Sequence, residues 1–383
     1  MSDLGLPEIE KEIENNKYFK KVENDLFIKY YYRANLPSIF DSPLKRELRG
    51  ITFSKKEKDL VARPYHKFFN INEHEETKED NLNNKNFIAR EKLDGSLIYF
   101  CFYKNKLHAF TQRRFENEYT QKAWEIINKN KKLLKFIENL TQKGYTPLFE
   151  LISPDFQIVI PYKEDKLILT EIRENKTGKY VLENFENEIK ENNILLPKKY
   201  FFNLKEAKDF LENKDNIEGL VLKDINSYKN TYPNFPLFVK LKSPWYLEKH
   251  YATSYLSNIP VHKLFLNYIQ NKLDDIFSNV LNSSLKEKKL KELKPYVEFF
   301  EFLLQNLEKI SKNIEKFENW KEKKSFIDKA LEDLLKKIEK KYKITFPKEI
   351  LLETVYAIIN KSNYEENLGL KIYSLMKKGK LKL

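Results

Sequence analysis

The stretch Glu91-Lys92-Leu93-Asp94-Gly95-Ser96-Leu97 lies between two apolar, β-type runs, Phe87–Ile88 and Leu97–Tyr103. Asp-Gly between such runs signals a tight turn, so the segment reads as a β-hairpin. Lys92 precedes the turn by two residues and would project from a strand end into any cavity above it. A lysine amine attacks only when neutral, and burial or neighbouring cations lower its pKa toward that state. A hairpin bearing a solvated lysine would carry the same letters, and in so lysine-rich a chain K-x-D-G arises by chance in roughly one sequence in ten. The reading therefore depends on the partners that the rest of the chain supplies.

A chain of 383 residues is long enough for two or three domains with sizeable cores. Its hydrophobic content of 41% and aromatic content of 14% place it among folded proteins. No apolar run approaches a membrane span, and Met1 to Lys21 is polar with mixed charge, unlike a signal peptide. The expectation is a cytoplasmic monomer with no membrane partner. A single cysteine, Cys101, excludes an internal disulfide and a cysteine-ligated zinc site. The net charge of +13 suggests a polyanionic partner, most often nucleic acid, although an AT-rich genome inflates lysine equally well. Arginine is more telling, because all eight arginines lie within the first 173 residues. Where lysine is the default cation, a retained arginine points to a need for its planar fork, as in phosphate binding. Glycine is scarce, and Gly50, Gly95 and Gly219 each stand beside a charged residue in a β-like run, which marks backbone requirements.

Residues 7–22 read as a short helix, followed by strands over Asp25–Tyr32, Gly50–Phe53 and Leu60–Arg63. Beyond the Lys92 segment, Leu107–Thr111 reads as a strand and Phe115 to about Leu140 carries helical apolar spacing. Pro147–Ile152, Gln157–Ile160, Leu167–Ile172, Ile217–Lys223 and Leu237–Lys242 read as strands, with a helix near Leu204–Glu212. From 245 onward nearly everything has a 3.6-residue period, with Pro295 and Pro347 placed at helix starts. The expected class is α+β, with an antiparallel-β-rich domain over 1–245 and an all-helical, lysine-rich domain over 246–383.

Attack by Lys92 on the α-phosphate of a nucleoside triphosphate needs cations on the phosphates, carboxylates for a divalent metal and a pocket for base and ribose. Five stretches supply those residue types. Phe149-Glu150 ends a β run, Glu218-Gly219-Leu220-Val221 opens one, and Lys240-Leu241-Lys242 alternates so that both lysines share a face. Upstream, Arg49-Gly50 and Lys67-Phe68-Phe69-Asn70 add cations.

In this order, K-x-D-G, F-E, E-G and K-x-K resemble the successive motifs of the covalent nucleotidyltransferases, the superfamily of ligases and RNA capping enzymes. Leu48-Arg49-Gly50-Ile51, Arg63-Pro64-Tyr65-His66-Lys67-Phe68-Phe69-Asn70, Gln157-Ile158-Val159-Ile160-Pro161-Tyr162 and Ser243-Pro244-Trp245-Tyr246 resemble the phage RNA ligase 1 family in particular. The resemblance covers roughly residues 30–250. It implies an ATP-grasp-like ligase domain and an ATP-dependent RNA ligase that uses Mg²⁺ or Mn²⁺, with RNA ends, transfer RNA loops among them, as the substrate.

The resemblance also implies roles. Lys92 would form a lysyl–AMP phosphoramide, with Asp94 and Gly95 shaping its turn and Ser96 touching phosphate. Glu91 and Glu150 would serve the nucleotide, and Glu218 would hold a metal ion. Lys240 and Lys242 would neutralise the α-phosphate and depress the Lys92 pKa. Arg49, Lys67 and Tyr32 would grip the outer phosphates, while Phe69 and Val221 would wall the pocket. Arg113, in Thr111-Gln112-Arg113-Arg114-Phe115, would replace the family's usual basic residue, and Asp274 of the Asp274-Asp275 pair would add a metal contact. A DNA ligase or capping guanylyltransferase shares the motifs, but usually continues into an OB-fold. A non-catalytic basic RNA-binding protein is the third reading.

Overall fold

The computed structural model describes residues 4–34 and 36–383. The chain divides into two compact units, Met1–Glu248 and Lys249–Leu383. Three sheets make up the first. Strands β1 (Phe19–Glu23), β2 (Phe27–Tyr32), β3 (Arg49–Ser54) and β4 (Leu60–Ala62) form an antiparallel sheet in that order. The other strands are β5 (Phe69–Asn70), β6 (Asn86–Lys92), β7 (Ser96–Tyr103), β8 (Lys106–Phe110), β9 (Tyr145–Ile152), β10 (Lys166–Glu174), β11 (Lys199–Asn203), β12 (Gly219–Asp224) and β13 (Phe238–Lys242). They build a second sheet, β10-β9-β7-β8, and a third, β11-β6-β12-β13-β5, in which only the β13–β5 pair is parallel.

The expected hairpin at Lys92 is not formed. β6 pairs with β11 and β12, whereas β7 pairs with β8 and β9, so Leu93-Asp94-Gly95 carries the chain from one sheet to another. The cause is Asp94, whose carboxylate is buried and consumed by backbone donors from elsewhere: Val159 N and Ile160 N each donate to Oδ2 at 2.8 Å. Gly95 is needed for close approach, since a Cβ there would stand 2.3 Å from the Leu151 carbonyl oxygen. For the same reason Gln157–Ile160 is not a strand; its amides serve Asp94 instead of a ladder. Near the N-terminus, the helix stops at Ile13, and Phe19–Glu23 is already β1. The helix expected over Phe115–Leu140 is two, Glu118–Lys129 and Lys131–Gln142, divided at Asn130, whose side chain caps the second by accepting from Leu133 N at 3.0 Å.

Each sheet face has a distinct apolar load. Ile98, Phe100, Phe149 and Leu151 of the second sheet pack under the two helices just named. Phe87, Ala89, Leu220, Leu222, Val239 and Leu241 of the third sheet pack with Leu204, Ala207 and Leu211 of the Leu204–Glu212 helix. That assigns the alternate residues of β6, β12 and β13 to the opposite face. In the second unit, helices such as Ser283–Ile314, Trp320–Tyr342 and Lys348–Ile359 enclose one apolar core that includes Phe299, Leu303, Leu331 and Val355. Pro347 caps its helix as expected, but Pro295 lies inside the 32-residue helix Ser283–Ile314. The carbonyl it leaves without a donor belongs to Lys291, an exposed residue that water can serve.

Two of the retained arginines are structural. Arg63 and Arg173 are buried around Glu47, with Arg63 Nη2 at 2.7 Å from Oε1, Arg173 Nη2 at 2.7 Å from Oε1 and Arg173 Nη1 at 2.8 Å from Oε2. Arg173 also donates to the carbonyls of Pro64 and Gly178. Their forks thus serve a buried carboxylate and main-chain oxygens, a demand lysine cannot meet. Removing the shared carboxylate strands two buried guanidiniums, so Glu47→Ala should lose about 3–5 kcal/mol in urea unfolding. A loss below about 1 kcal/mol would mean the guanidiniums find water instead.

Candidate active site

A cavity of about 390 Å³ lies between the second and third sheets. Its floor follows from register. Gly219 pairs with Lys92 on one side and with Lys242 on the other, and Val221 pairs with Arg90 and Lys240. Two rows therefore run across the sheet, Lys92–Gly219–Lys242 and Arg90–Val221–Lys240, all on the face that the apolar core leaves free. Gly219 has φ +155°, and a Cβ on it would meet the Leu241 oxygen at 2.0 Å and Lys242 Cα at 2.7 Å. Only glycine lets the strand that carries Lys240 and Lys242 come this close to β12. The opposing sheet contributes Leu97, Glu150 and Thr170.

Charge is arranged around one carboxylate. Glu218 is buried, accepts from Lys92 Nζ at 2.7 Å on Oε2, and holds Lys242 Nζ at 3.5 Å from Oε1. Lys240 Nζ lies 4.8 Å from the centre of the Phe68 ring, over which Arg49 also lies at 5.3 Å. Burial drives the Lys240 pKa well below its ordinary value, and the charges of Arg49, Lys67 and Lys92 push the same way. Burial also raises the Glu150 carboxyl to about 7; Glu218 and Asp94 add to that rise while Lys92 and Arg49 oppose it.

Asp94 does not line the cavity. Besides the two amides, it accepts from Tyr246 Oη at 2.7 Å, and its own N–H donates to Tyr162 Oη at 3.1 Å. The stretches containing Tyr162 and Tyr246 thus act on the site through Asp94, which fixes where Lys92 emerges.

Of the residues expected at the site, Lys92, Glu91, Gly95, Glu150, Glu218, Val221, Lys240, Lys242 and Arg49 line the cavity. Tyr32, Lys67 and Phe69 do not. Lys67 and Phe69 alternate with Phe68 and Asn70, and it is the latter pair that faces the cavity. Phe69 belongs to the core of the first sheet with Tyr32 and Phe40, and buried Lys67 lies over those three rings at 5.0–5.6 Å. Burial and Arg49 lower the Lys67 pKa to about 8. Glu91 borders the cavity from a strand whose alternation turns its side chain away, to Tyr200 Oη at 3.1 Å and Lys198 Nζ at 3.5 Å. Arg113 is exposed, and Gln112 takes the lining position instead. That is the one-residue slip to which a strand end is prone. Asp274 is exposed in the first turn of the six-residue helix Leu273–Ser278 in the second unit. Among the described residues, no group of three or more His, Cys, Asp or Glu side chains is placed to hold a metal ion. Arg90, Phe68 and Lys223 were missed; simple two-residue steps from Lys92, Asn70 and Val221 reach each of them.

Residues 47–246 match the family model for RNA ligase of the T4 type 1 group. The chain belongs to this RNA ligase family and is an enzyme of the ligase class. It is 44% identical over 386 residues, all of this chain and 99% of the other, to a Thermovibrio ammonificans protein named "Putative RNA ligase". RNA ligase 1 of bacteriophage TS2126 is 25% identical over 158 residues, 39% of this chain and 40% of its own. Rhodothermus phage RM378 RNA ligase is 23% identical, covering 69% of this chain and 72% of its own. Among solved structures, an archaeal ATP-dependent RNA ligase aligns with TM-score 0.45 and 12% identity over 78% of this chain and 82% of that one. No helix among the described residues is long and apolar enough to cross a membrane.

The raised Glu150 carboxyl carries a consequence for stability. Its pKa rises from 4.5 to about 7 on folding, so between those values the folded chain holds a proton that the unfolded chain has released. The contribution of this carboxyl to stability is then fully present below that window and is lost as pH climbs through it. Glu150→Gln removes the titration. The variant should gain on wild type in thermal unfolding between about pH 5 and about pH 8, whereas parallel curves would mean that the carboxyl titrates normally.

Proposed function

We propose that this RNA ligase joins an RNA 5′-phosphate to a 3′-hydroxyl in three steps, with ATP as the source of the activating group and Lys92 as its carrier. The observation that supports this most directly is the row Lys92–Gly219–Lys242 with Lys240 beside it, which puts an amine and two further cations on one face of one cavity.

In the first step Lys92 Nζ bonds to the α-phosphorus of ATP while the bond from that phosphorus to the bridging oxygen breaks, and pyrophosphate leaves with the electron pair. Before attack the ammonium must shed a proton, and Glu218 Oε2, which accepts a hydrogen bond from Lys92 Nζ at 2.7 Å, is placed to take it. Lys240 and Lys242 stabilise the charge gathering on the α-phosphate, and Arg49 meets the departing phosphates. In the second step an oxygen of the RNA 5′-phosphate takes the adenylyl group, the N–P bond breaks and Lys92 regains its proton. In the third, the 3′-hydroxyl oxygen bonds to the RNA phosphorus as the bridging P–O bond to AMP breaks, AMP leaves with the electron pair, the hydroxyl proton passes to solvent and a phosphodiester remains.

The donor set suits a nucleotide-borne divalent ion: Glu218 and Glu150 offer one or two carboxylates, and the phosphates would complete the shell, as magnesium prefers. When bound, magnesium or manganese neutralises charge on the transferring phosphoryl group. The domain spanning 1–245 carries the adenylyl chemistry, and the helical domain 246–383 serves substrate recognition, with broken transfer RNA loops as the target. The enzyme works as a cytoplasmic monomer.

Incubation with α-labelled ATP and magnesium should give a covalent adduct that survives denaturation and maps to the peptide containing Lys92. Lys92→Ala should abolish it, and labelling equal to wild type would move the nucleophile elsewhere. Gly219→Ala should fold yet label roughly 100-fold more slowly, because a displacement near 1 Å of a catalytic group costs about that much. An unchanged rate would mean that the strands tolerate the added carbon and that the row is not critical.

A further inference from the structure

The segment Asn192–Phe202 is not used by the chemistry above. Leu169 N donates to Leu195 O at 2.8 Å and Glu91 N donates to Lys198 O at 3.0 Å, so residues 195–198 stitch the edge of the second sheet to the third. Pro197, within this stitch, lines the cavity. The apolar side chains here are not covered: Leu195 is 49%, Leu196 37% and Phe201 66% exposed. Isolated exposed leucines are ordinary, but an aromatic ring left two-thirds exposed on a strand, four residues beyond a lining residue of the cavity, marks a surface that binds something.

Register fixes where Phe201 stands. Lys199 pairs with Arg90, and Phe201 pairs with Ile88. Directly opposed residues share a sheet face, so Lys199 and Phe201 lie on the face that carries Arg90 and Lys92. The row Arg90–Val221–Lys240 thus extends to Lys199 at the sheet edge. Strand rise and spacing put Phe201 roughly 14 Å from Lys92. Lys199 Nζ lies 5.5 Å from the Phe201 ring centre. On that face Arg90 and Lys199 share the one carboxylate of Glu183, at 3.0 Å and 2.9 Å, which leaves an excess of positive charge.

We propose that Phe201, with Lys199, is a base-stacking subsite for the single-stranded RNA whose end is activated at Lys92. An exposed ring beside a lysine offers a π-face to any base and charge to the backbone, which is how single strands are held without sequence preference. A second copy of this chain, pairing edge to edge along β11, is the competing occupant. Pro197 and the two lysines at the start of a five-residue strand are the devices that blunt such an edge, and they favour RNA. The inference rests on the ligase reading above, and it names where that reaction's RNA lies.

The test uses the full chain as wild type, Phe201→Ala and Phe201→Trp. Three quantities are read: Lys92 adduct formation with ATP alone, KM for ligation of a 5′-phosphorylated single-stranded oligonucleotide, and binding of that oligonucleotide by fluorescence anisotropy. Phe201→Ala should leave the adduct rate unchanged, raise KM and the apparent Kd about tenfold, and be rescued by Phe201→Trp. Unchanged KM and binding in Phe201→Ala, or no rescue by tryptophan, would overturn the subsite. So would sedimentation showing a wild-type dimer that Phe201→Ala dissociates, since the patch would then belong to a second copy. Should the wild type form no adduct at all, the adenylyl reading fails separately, and the anisotropy comparison still decides the role of Phe201.

Discussion

Positive charges of Arg49, Lys92, Lys240 and Lys242 face one cavity, and two such charges 4 Å apart at an effective dielectric near 20 repel by about 4 kcal/mol. The first unit is arranged around relieving that repulsion without covering the amine. Glu218 relieves it most directly, by holding Lys92 and Lys242 at once. Phe68 offers its ring to Arg49 and Lys240, and Lys240 has the further resort of giving up its proton. A bound triphosphate would supply the missing negative charge and free Glu218 from its two lysines. On the proposed reading, the mutual repulsion of these cations favours ATP.

A charge cluster is useful only if its atoms are held in place, and the holding is done from behind. Asp94 never reaches the cavity, yet it ties the exit of β6 to the 159–162 segment and to Tyr246. Four hydrogen bonds on one buried residue make the path between two sheets stiff where a hairpin would have let Lys92 sway. The distinction has energetic content. A charged carboxylate bonded to backbone amides and a phenol is well satisfied, whereas its loss would leave two buried amides without acceptors.

Much of this was legible in the residues. Alternation along Lys240-Leu241-Lys242 placed both lysines on one face, and the α+β character with a helical second half followed from hydrophobic period alone. What failed did so for definable reasons. Asp-Gly carries a turn signal whatever the partner of its strand, so local sequence could not reveal that β6 and β7 belong to different sheets. Phe69 was preferred to Phe68 although Asn70, two steps from Phe68, faces the cavity; strict alternation from either neighbour settles it only once one face is known. Arginine scarcity marked sites that need a planar fork, correctly, but composition cannot say whether the fork meets a phosphate or Glu47.

Those arginines also clarify how the unit divides its labour. Arg63 and Arg173 spend their donors on Glu47 and main-chain oxygens, and Arg46 spends its own on Glu76 and the Lys67 carbonyl. Each is a fixed joint. Arg49 differs: it lines the cavity, its Nε is buried without a hydrogen bond, and its contact with the His66 carbonyl is long at 3.5 Å. An arginine with unspent donors costs free energy in the unbound chain, and an anion bearing several oxygens is what would recover it. Within the first 173 residues the same side chain therefore serves as mortar where a carboxylate fills its fork and, on the proposed reading, as a binding group where none does.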